Sequence, residues 1–308
     1  MIKNKIIIGS RGSKLAVLYA EKAKKTILDN NADLNKDFID IRIIKTTADI
    51  HHSESLSEIG GKGLFSKQIE QELLDKKIDI AVHALKDLPS DETDGLETKI
   101  FLKRNDPRDV FISLDYNSIY DLRAHSVIGT SSFRRAAQLG LLRKDLNIKL
   151  IRGNVDTRIK KLEQKKFDAI VLAYAGVKTL GFENKITKFF SVEEMLPCVG
   201  QGVIALQTRK NDESILKLIS KVNDQNTFNC VLAEREMLKT IEGDCDTAVG
   251  GLATINSNLI TLKSELFSTD GKKKFSVKTS GRVEEAKKIG IKVGQELIAK
   301  AGNTYKKR

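Results

Sequence analysis

The feature that most constrains this chain is a pattern written twice in the same order. Ile7-Ile8-Gly9-Ser10 and Ser126-Val127-Ile128-Gly129-Thr130-Ser131-Ser132 each pass from a short apolar strand through glycine and hydroxyl residues into a helix. Lys76-Lys77-Ile78-Asp79-Ile80-Ala81-Val82 and Lys165-Lys166-Phe167-Asp168-Ala169-Ile170-Val171 each close a helix and enter a buried strand. Strands alternating with helices point to α/β architecture. Two ordered matches suggest two related α/β domains.

Within the first of them, Lys5 to Gly9 is a strand, Ser13 opens a helix through about Asp29, and Phe38 to Ile44 alternates as a strand. A further helix carries Ile69, Leu73 and Leu74 on one side, and a strand runs from Ile78 to Val82. Arg104-Asn105-Asp106-Pro107-Arg108 has turn chemistry, because proline fixes φ and biases its predecessor away from helix. Pro197-Cys198-Val199-Gly200-Gln201-Gly202 also interrupts the periodic segments, so both are candidate domain crossings. The grammar then changes. A helix from about Thr227 to Ile241, a loop at Asp244-Cys245-Asp246, three short strands around 248 to 281 and a helix from Val283 to about Ala299 predict a small α+β domain with antiparallel strands. Lys306-Lys307-Arg308 reads as a frayed basic tail.

A chain of 308 residues suits two or three domains, and 40% hydrophobic with 31% charged residues excludes disorder as the main state. Its net charge of +12 favours anionic partners without choosing among them. Nucleic acid is not expected, since the chain has no Trp, 6% aromatics to stack bases and no recognised binding motif. Cys198, Cys230 and Cys245 form neither a disulfide framework nor a metal knuckle, and the adjacent His51 and His52 lack a third ligand, so no metal is expected. Neither a signal h-region nor an apolar run of the ~20 residues needed to span a bilayer is present, which predicts a soluble cytoplasmic protein without membrane contact.

Arg11, Arg134, Arg135, Arg152 and Arg158 all fall just beyond predicted strand ends or in the first turn of the next helix, the ligand side of an open α/β sheet. Glycine, serine and threonine beside them add helix N-termini and hydroxyls that suit anionic oxygens, so a polycarboxylate or phosphate ligand fits. Asp87, in His83-Ala84-Leu85-Lys86-Asp87-Leu88-Pro89, stands at the same edge and is a candidate general acid/base or a plain turn residue. His83 is read as a structural hydrogen-bond partner. The polar stretch Ala48 to Ile59, followed by Gly60-Gly61-Lys62-Gly63, suits a lid but matches no Walker loop. Cys245 lies on a loop between two acids, which suits a slow attachment better than a protease-type thiolate, whereas Cys230 is read as a buried hydrophobe.

Eight ordered blocks then carry a resemblance over essentially the whole length: Gly9-Ser10-Arg11-Gly12-Ser13, Gly60-Gly61-Lys62-Gly63-Leu64-Phe65, His83-Ala84-Leu85-Lys86-Asp87, Asp106-Pro107-Arg108-Asp109, Gly129-Thr130-Ser131-Ser132-Phe133-Arg134-Arg135, Arg152-Gly153-Asn154-Val155, Val199-Gly200-Gln201-Gly202 and Gly243-Asp244-Cys245. The chain resembles the porphobilinogen deaminase, or hydroxymethylbilane synthase, family of tetrapyrrole (porphyrin and haem) biosynthesis. The resemblance implies two α/β domains like those of type II periplasmic binding proteins, residues 1–102 with 203–220 and residues 106–197, and an α+β domain over 224–308. It places the active site between the first two, with residues 48–59 as a flexible loop that Lys62 follows. It implies a dipyrromethane cofactor bound as a thioether to Cys245, Asp87 as the catalytic aspartate, and porphobilinogen as substrate. Arg11, Ser13, Lys86, Thr130, Ser131, Ser132, Arg134, Arg135, Arg152 and Arg158 match positions that bind pyrrole carboxylates, and Gln201 matches one at the domain crossing. A monomer is implied as well. The runner-up is a non-catalytic anion-binding module of the same fold, which gives Cys245 no task. Three positions depart from the family pattern: Thr179 where a basic residue is common, Asp156 where glycine is common, and no proline after Cys245.

Overall fold

The computed structural model describes residues 5–45, 66–244 and 246–306. Loop 48–59, Lys62 and Cys245 lie outside the described residues. In chain order the elements are β1 (Ile6–Arg11), α1 (Lys14–Asp29), β2 (Ile39–Ile44), α2 (Lys67–Leu74), β3 (Ile80–Ala84), β4 (Leu96–Phe101), β5 (Asp109–Ser113), β6 (Val127–Gly129), α3 (Phe133–Leu142), β7 (Asn147–Lys149), α4 (Val155–Glu163), β8 (Ala169–Ala173) and α5 (Tyr174–Thr179). There follow β9 (Lys188–Phe189), β10 (Ile204–Arg209), α6 (Glu213–Ser220), α7 (Gln225–Thr240), β11 (Val249–Asn256), β12 (Leu259–Phe267), β13 (Lys274–Arg282) and α8 (Ala286–Ala301). Contacts divide the chain into two units, residues 1–105 with 203–228 and residues 106–202 with 229–308.

The first unit holds a five-stranded sheet in the order β2-β1-β3-β10-β4. β1 runs parallel to β2 and β3, and β10 runs antiparallel to β3 and β4. Ser13 caps α1 by accepting from the Ala16 amide, 3.3 Å. The helix then buries Tyr19, Ala20, Ala23 and Ile27 on Ile6, Ile8, Ile80, Val82, Ile204 and Leu206. Each fully buried aliphatic side chain there contributes about 2 kcal/mol from burial. On the opposite face α2 packs Ile69 and Leu73 against Ile44, Ile78, Ala81 and Leu96. Leu74, expected beside them, is 38% exposed, because residues three or four apart, such as Ile69 and Leu73, share a helix face and Leu74 is turned one step away from it. β3 lies two residues later than the Ile78 to Val82 expectation, ending at Ala84. It continues through the polar His83 because that side chain is hydrogen-bonded inside the sheet layer.

The second unit repeats the arrangement in the order β7-β6-β8-β5-β9, with β6 parallel to β7 and β8, and β5 antiparallel to β8 and β9. The sequence echo is visible in the hydrogen bonds. The Ile7 amide donates to the Asp79 carboxylate at 3.0 Å while the Asp79 amide donates to the Ile7 carbonyl at 2.8 Å. Val127 and Asp168 make the same reciprocal pair at 2.6 and 2.9 Å. Lys76 and Lys165, at φ 58° and 56°, close the preceding helices in the same left-handed turn.

The second unit also contains an antiparallel sheet, β11-β12-β13. Its strands are longer than the short ones expected, pairing without interruption from Leu259↔Arg282 to Phe267↔Lys274. α7, with Ile241 just after it, and α8 back it with Ala233, Met237, Ile241, Val293 and Leu297. Cys230 is buried in this core, as its helical setting suggested. Within the supposed basic tail, Lys306 is held by Glu242 at 2.7 Å. Two mixed α/β sheets and an antiparallel sheet with helices are the fold class read from the sequence.

Candidate active site

Parallel strands put their carboxyl ends on one side of a sheet, and the chain turns that follow them define the ligand edge. In the first unit β1 and β3 are such neighbours, so Arg11 at the end of β1, Ser13 at the cap of α1, and Lys86 and Asp87 in the 3-10 turn after β3 share one edge. Asp87 is exposed, Lys86 and Arg11 are half-buried, and His83, on β3, is buried. Burial pushes the His83 imidazole down to about 4, and Arg11 acts in the same direction against the pull of Glu70 and Asp87. His83 is therefore a neutral hydrogen-bonding residue, as expected, and its sensitivity to Arg11 and Asp87 places it within electrostatic reach of both.

The second unit offers the matching edge after β6 and β7. Thr130 follows β6, its hydroxyl accepting from the Ser132 amide at 3.1 Å, and Ser132 caps α3 by accepting from the Arg135 amide at 3.4 Å. Both hydroxyl hydrogens remain donors. Ser131 between them is exposed. After β7, half-buried Arg158 donates from Nε to the Gly153 carbonyl at 2.7 Å, and Lys161 donates to the Arg152 carbonyl at 2.9 Å. Gly153 sits at φ +107°, and a Cβ there would fall 2.8 Å from Thr157 Cβ, so this turn requires glycine.

Arg134, Arg135 and Gln201 are engaged with Asp109, a residue of the Asp106-Pro107-Arg108-Asp109 motif that is not among the candidate site residues. Asp109, fully buried at the start of β5, pairs with Arg134 at 2.8 Å and with Arg135 at 2.7 Å, and accepts from Gln201 Nε2 at 2.9 Å. Gln201 also donates to the Pro107 carbonyl at 2.6 Å. Because β5 is antiparallel to β8, Asp109 lies opposite Ala173, at the same ligand edge. Burial alone would push its carboxyl up, but the two guanidinium groups hold it down, at about 2. The cluster follows from the cost of burying a charge without partners. Arg134 further donates to the Leu196 carbonyl at 2.6 Å, while its buried Nε has no partner among the described residues. An aspartate immediately before Val110-Phe111-Ile112 is the sequence signal that could have found this site.

At the departures, Thr179 bonds back to the Ala175 carbonyl at 2.8 Å, and Lys178 lies over the Tyr174 ring at 5.8 Å. Asp156 stands in the first turn of α4, where a negative charge is favourable. Beside the cysteine position, the Asp244 carboxylate accepts from the Asp246 amide and from the Thr247 amide at 3.0 Å each, closing a turn without proline. No group of metal-binding side chains occurs among the described residues, nor any helix long and apolar enough to cross a membrane.

The model for "Porphobilinogen deaminase, dipyromethane cofactor binding domain" matches residues 6–217, and that for the C-terminal domain of the same family matches residues 228–299. The porphobilinogen deaminase of Syntrophomonas wolfei is 42% identical over 295 residues, covering 96% of this chain and 95% of that protein. That of Staphylococcus carnosus is 41% identical over 289 residues, covering 92% and 93%. Among solved structures, the methionine-binding protein MetQ shares 12% identity at a TM-score of 0.44 over 71% of this chain and 90% of that one, too distant to carry an argument. With both family models and full-length relatives agreeing along the chain, it belongs to the porphobilinogen deaminase family, enzymes with a dipyrromethane cofactor and hydroxymethylbilane synthase activity.

Proposed function

We propose that Asp87 is the catalytic carboxylate in the head-to-tail condensation of four porphobilinogen molecules into linear hydroxymethylbilane, each addition releasing ammonia. The observation that carries this reading is the meeting of Asp87 with Lys86, Arg11 and Ser13 at the carboxyl edge of adjacent parallel strands. Departure of ammonia leaves a positively charged pyrrole, and a carboxylate beside it lowers the energy of that cation. The same carboxylate can return and take up protons as the new bond forms. Every pyrrole brings an acetate and a propionate, so the guanidinium groups and hydroxyls near the two edges give carboxylates the donors they require.

The donor set also fits the cofactor. Arg134 Nε is a buried donor lacking an acceptor among the described residues, which a pyrrole carboxylate would supply. Arg11, Ser13, Lys86, Thr130, Ser131, Ser132, Arg134, Arg135, Arg152, Arg158 and Gln201 are the residues that would hold the cofactor and growing chain, with Lys62 following the loop. Joined through the Cys245 sulfur, dipyrromethane would supply a pyrrole carbon as the primer for elongation. No external cofactor is needed, and the enzyme works as a cytoplasmic monomer.

Asp87→Asn is expected to retain the fold and the covalently bound group, read as an intact-mass excess on the peptide containing Cys245, and to lower kcat by at least ~100-fold. Normal turnover by this variant would remove Asp87 from the chemistry. An unmodified chain that stays unmodified with porphobilinogen would instead favour an anion-binding module.

A further inference from the structure

The chain contains two Asp-Gly pairs, Asp94-Gly95 and Asp270-Gly271. Such a pair is where a backbone most readily attacks its own side chain, because glycine has no Cβ to hinder the approach of its amide nitrogen to the neighbouring carboxyl carbon. The two pairs are matched in most respects. Each lies in a turn that leads into a strand, β4 and β13 respectively, each aspartate is exposed, and the glycines have φ +80° and +69°.

Their hydrogen bonds differ. Around Asp270 the groups that would react are held apart: Asp270 Oδ1 accepts from the Ser268 hydroxyl at 2.6 Å and from the Lys272 amide at 3.1 Å, while the Gly271 amide donates to the Ser268 carbonyl at 2.8 Å. Carboxyl group and nitrogen must both give up partners before they meet. At the other pair the same two groups face one another, since the Gly95 amide donates to Asp94 Oδ1 at 2.9 Å. Lys210 Nζ, 3.7 Å from that oxygen, is an exposed partner of an exposed carboxylate and restrains it little.

We propose that Asp94-Gly95 is a site of spontaneous isomerisation to isoaspartate, a modification that weakens the sheet edge without touching turnover, and that local hydrogen bonds protect Asp270-Gly271 from the same reaction. The Gly95 nitrogen bonds to Asp94 Cγ, the carboxyl oxygen leaves with the amide hydrogen as water, and a succinimide ring closes. Water then adds to one of its two carbonyl carbons. Cleavage of the new N–Cγ bond restores aspartate; cleavage of the original peptide bond leaves the chain running through the side-chain carbonyl, with a free α-carboxylate and one more methylene in the backbone.

The topology places this turn away from Asp87. β3 and β4 are both antiparallel to β10, so the start of β4 lies at the opposite end of the sheet from the turn that follows β3. The Asp94 turn still fastens the edge: the Leu96 amide donates to the Thr93 carbonyl at 3.1 Å and the Lys210 amide to the Gly95 carbonyl at 2.9 Å. An added methylene lengthens the path that these bonds close. The inference stands whether or not Asp87 is catalytic.

The test ages the full-length protein near physiological temperature and neutral pH, digests it with trypsin, and reads isoaspartate by methyl transfer from S-adenosylmethionine with an isoaspartyl methyltransferase. Peptides Asp87–Lys99 and Ser264–Lys272 separate the two sites. In the folded protein the first is expected to gain isoaspartate at least ~10-fold faster than the second, the factor that one or two extra hydrogen bonds supply. In denaturant, where only the common dipeptide remains, the two rates are expected to converge. Equal rates in the folded protein overturn the proposal, as does a difference that survives denaturant. Asp94→Asn and Asp270→Asn report the same ring closure as a mass gain, with ammonia leaving in place of water, and the same order of rates is expected. Asp94→Glu, whose longer side chain closes the ring poorly, is expected to abolish the product in the first peptide; a product that persists there belongs to Asp91 and overturns the assignment. Aged wild-type protein is expected to melt below fresh protein with kcat unchanged, while Asp94→Glu keeps its melting temperature on ageing. A kcat that falls in step with isoaspartate overturns the claim that the modification leaves turnover untouched.

Discussion

The two mixed sheets share strand order and direction, but they place buried polarity at different points of the same edge. In the first unit the polar residues are His83 and Gln207, while Ile204, facing Ala84, is apolar. In the second unit His83 and Gln207 have apolar counterparts in Leu172 and Ile112, whereas the position corresponding to Ile204 is Asp109, facing Ala173 and gripped by Arg134 and Arg135. One edge thus rests on a neutral imidazole and an exposed carboxylate, the other on a closed ion cluster. Topology alone dictates neither arrangement.

The largest effect that would sharpen this contrast is expected from Asp109→Ala. Removing the buried anion leaves two buried guanidinium groups uncompensated and is expected to cost about 3–5 kcal/mol in denaturant unfolding. A conservative trimming at the matching position of the first unit, Ile204→Val, removes one methylene and should cost only about 1 kcal/mol. A cost for Asp109→Ala no larger than that of Ile204→Val would mean that the ion cluster is not what holds the second edge.

Acid should separate the edges next. His83 in the folded protein takes up its proton only around pH 4, whereas an unfolded histidine does so around 6.5, so its contribution is whole above pH 6.5 and is lost as the pH falls toward 4. That loss amounts to at most about 3 kcal/mol and should vanish from the stability curve of His83→Gln. Asp109 acts lower. Its folded carboxyl titrates at about 2 against an ordinary 3.8, so its contribution of about 2 kcal/mol is present above pH 3.8 and is lost between there and pH 2. A His83→Gln curve with the wild-type slope between pH 6.5 and 4 would show that the imidazole is not buried neutral.

The smallest effect concerns what the units share. Lys76 and Lys165 both occupy the left-handed turn that closes the helix before the central strand. Glycine at either place is expected to stabilise by about 0.5–1 kcal/mol, because it adopts positive φ without strain. Thermal melts of Lys76→Gly and Lys165→Gly should shift by similar amounts; a gain at one and a loss at the other would show that the turns are not equivalent.

The repeat was legible because it is local: glycine next to hydroxyls, a basic pair before an aspartate, and apolar runs of strand length depend on neighbours along the chain. The Ser13 cap and the burial of Cys230 were legible for the same reason. The continuation of β3 to Ala84 was not legible, because His83 is polar and nothing nearby in sequence announces Gln207, which satisfies it from far along the chain. The arginines at strand ends were visible as candidates, but their engagement with Asp109 was not, since the partner arrives on an antiparallel strand from another part of the sequence.

By itself, then, the sequence determined the architecture, the edge at which ligand chemistry gathers and, through ordered motifs, the family. Only the tertiary structure decided which polar groups face one another: that Gln207 turns between His83 and Glu70, that Asp109 takes both arginines, and that hydrocarbon fills the second unit where the first buries a polar chain. The physical reason is range. Helix caps, strand periodicity and turns are settled by residues a few positions apart, whereas the charge state of a buried side chain depends on whatever the fold packs against it.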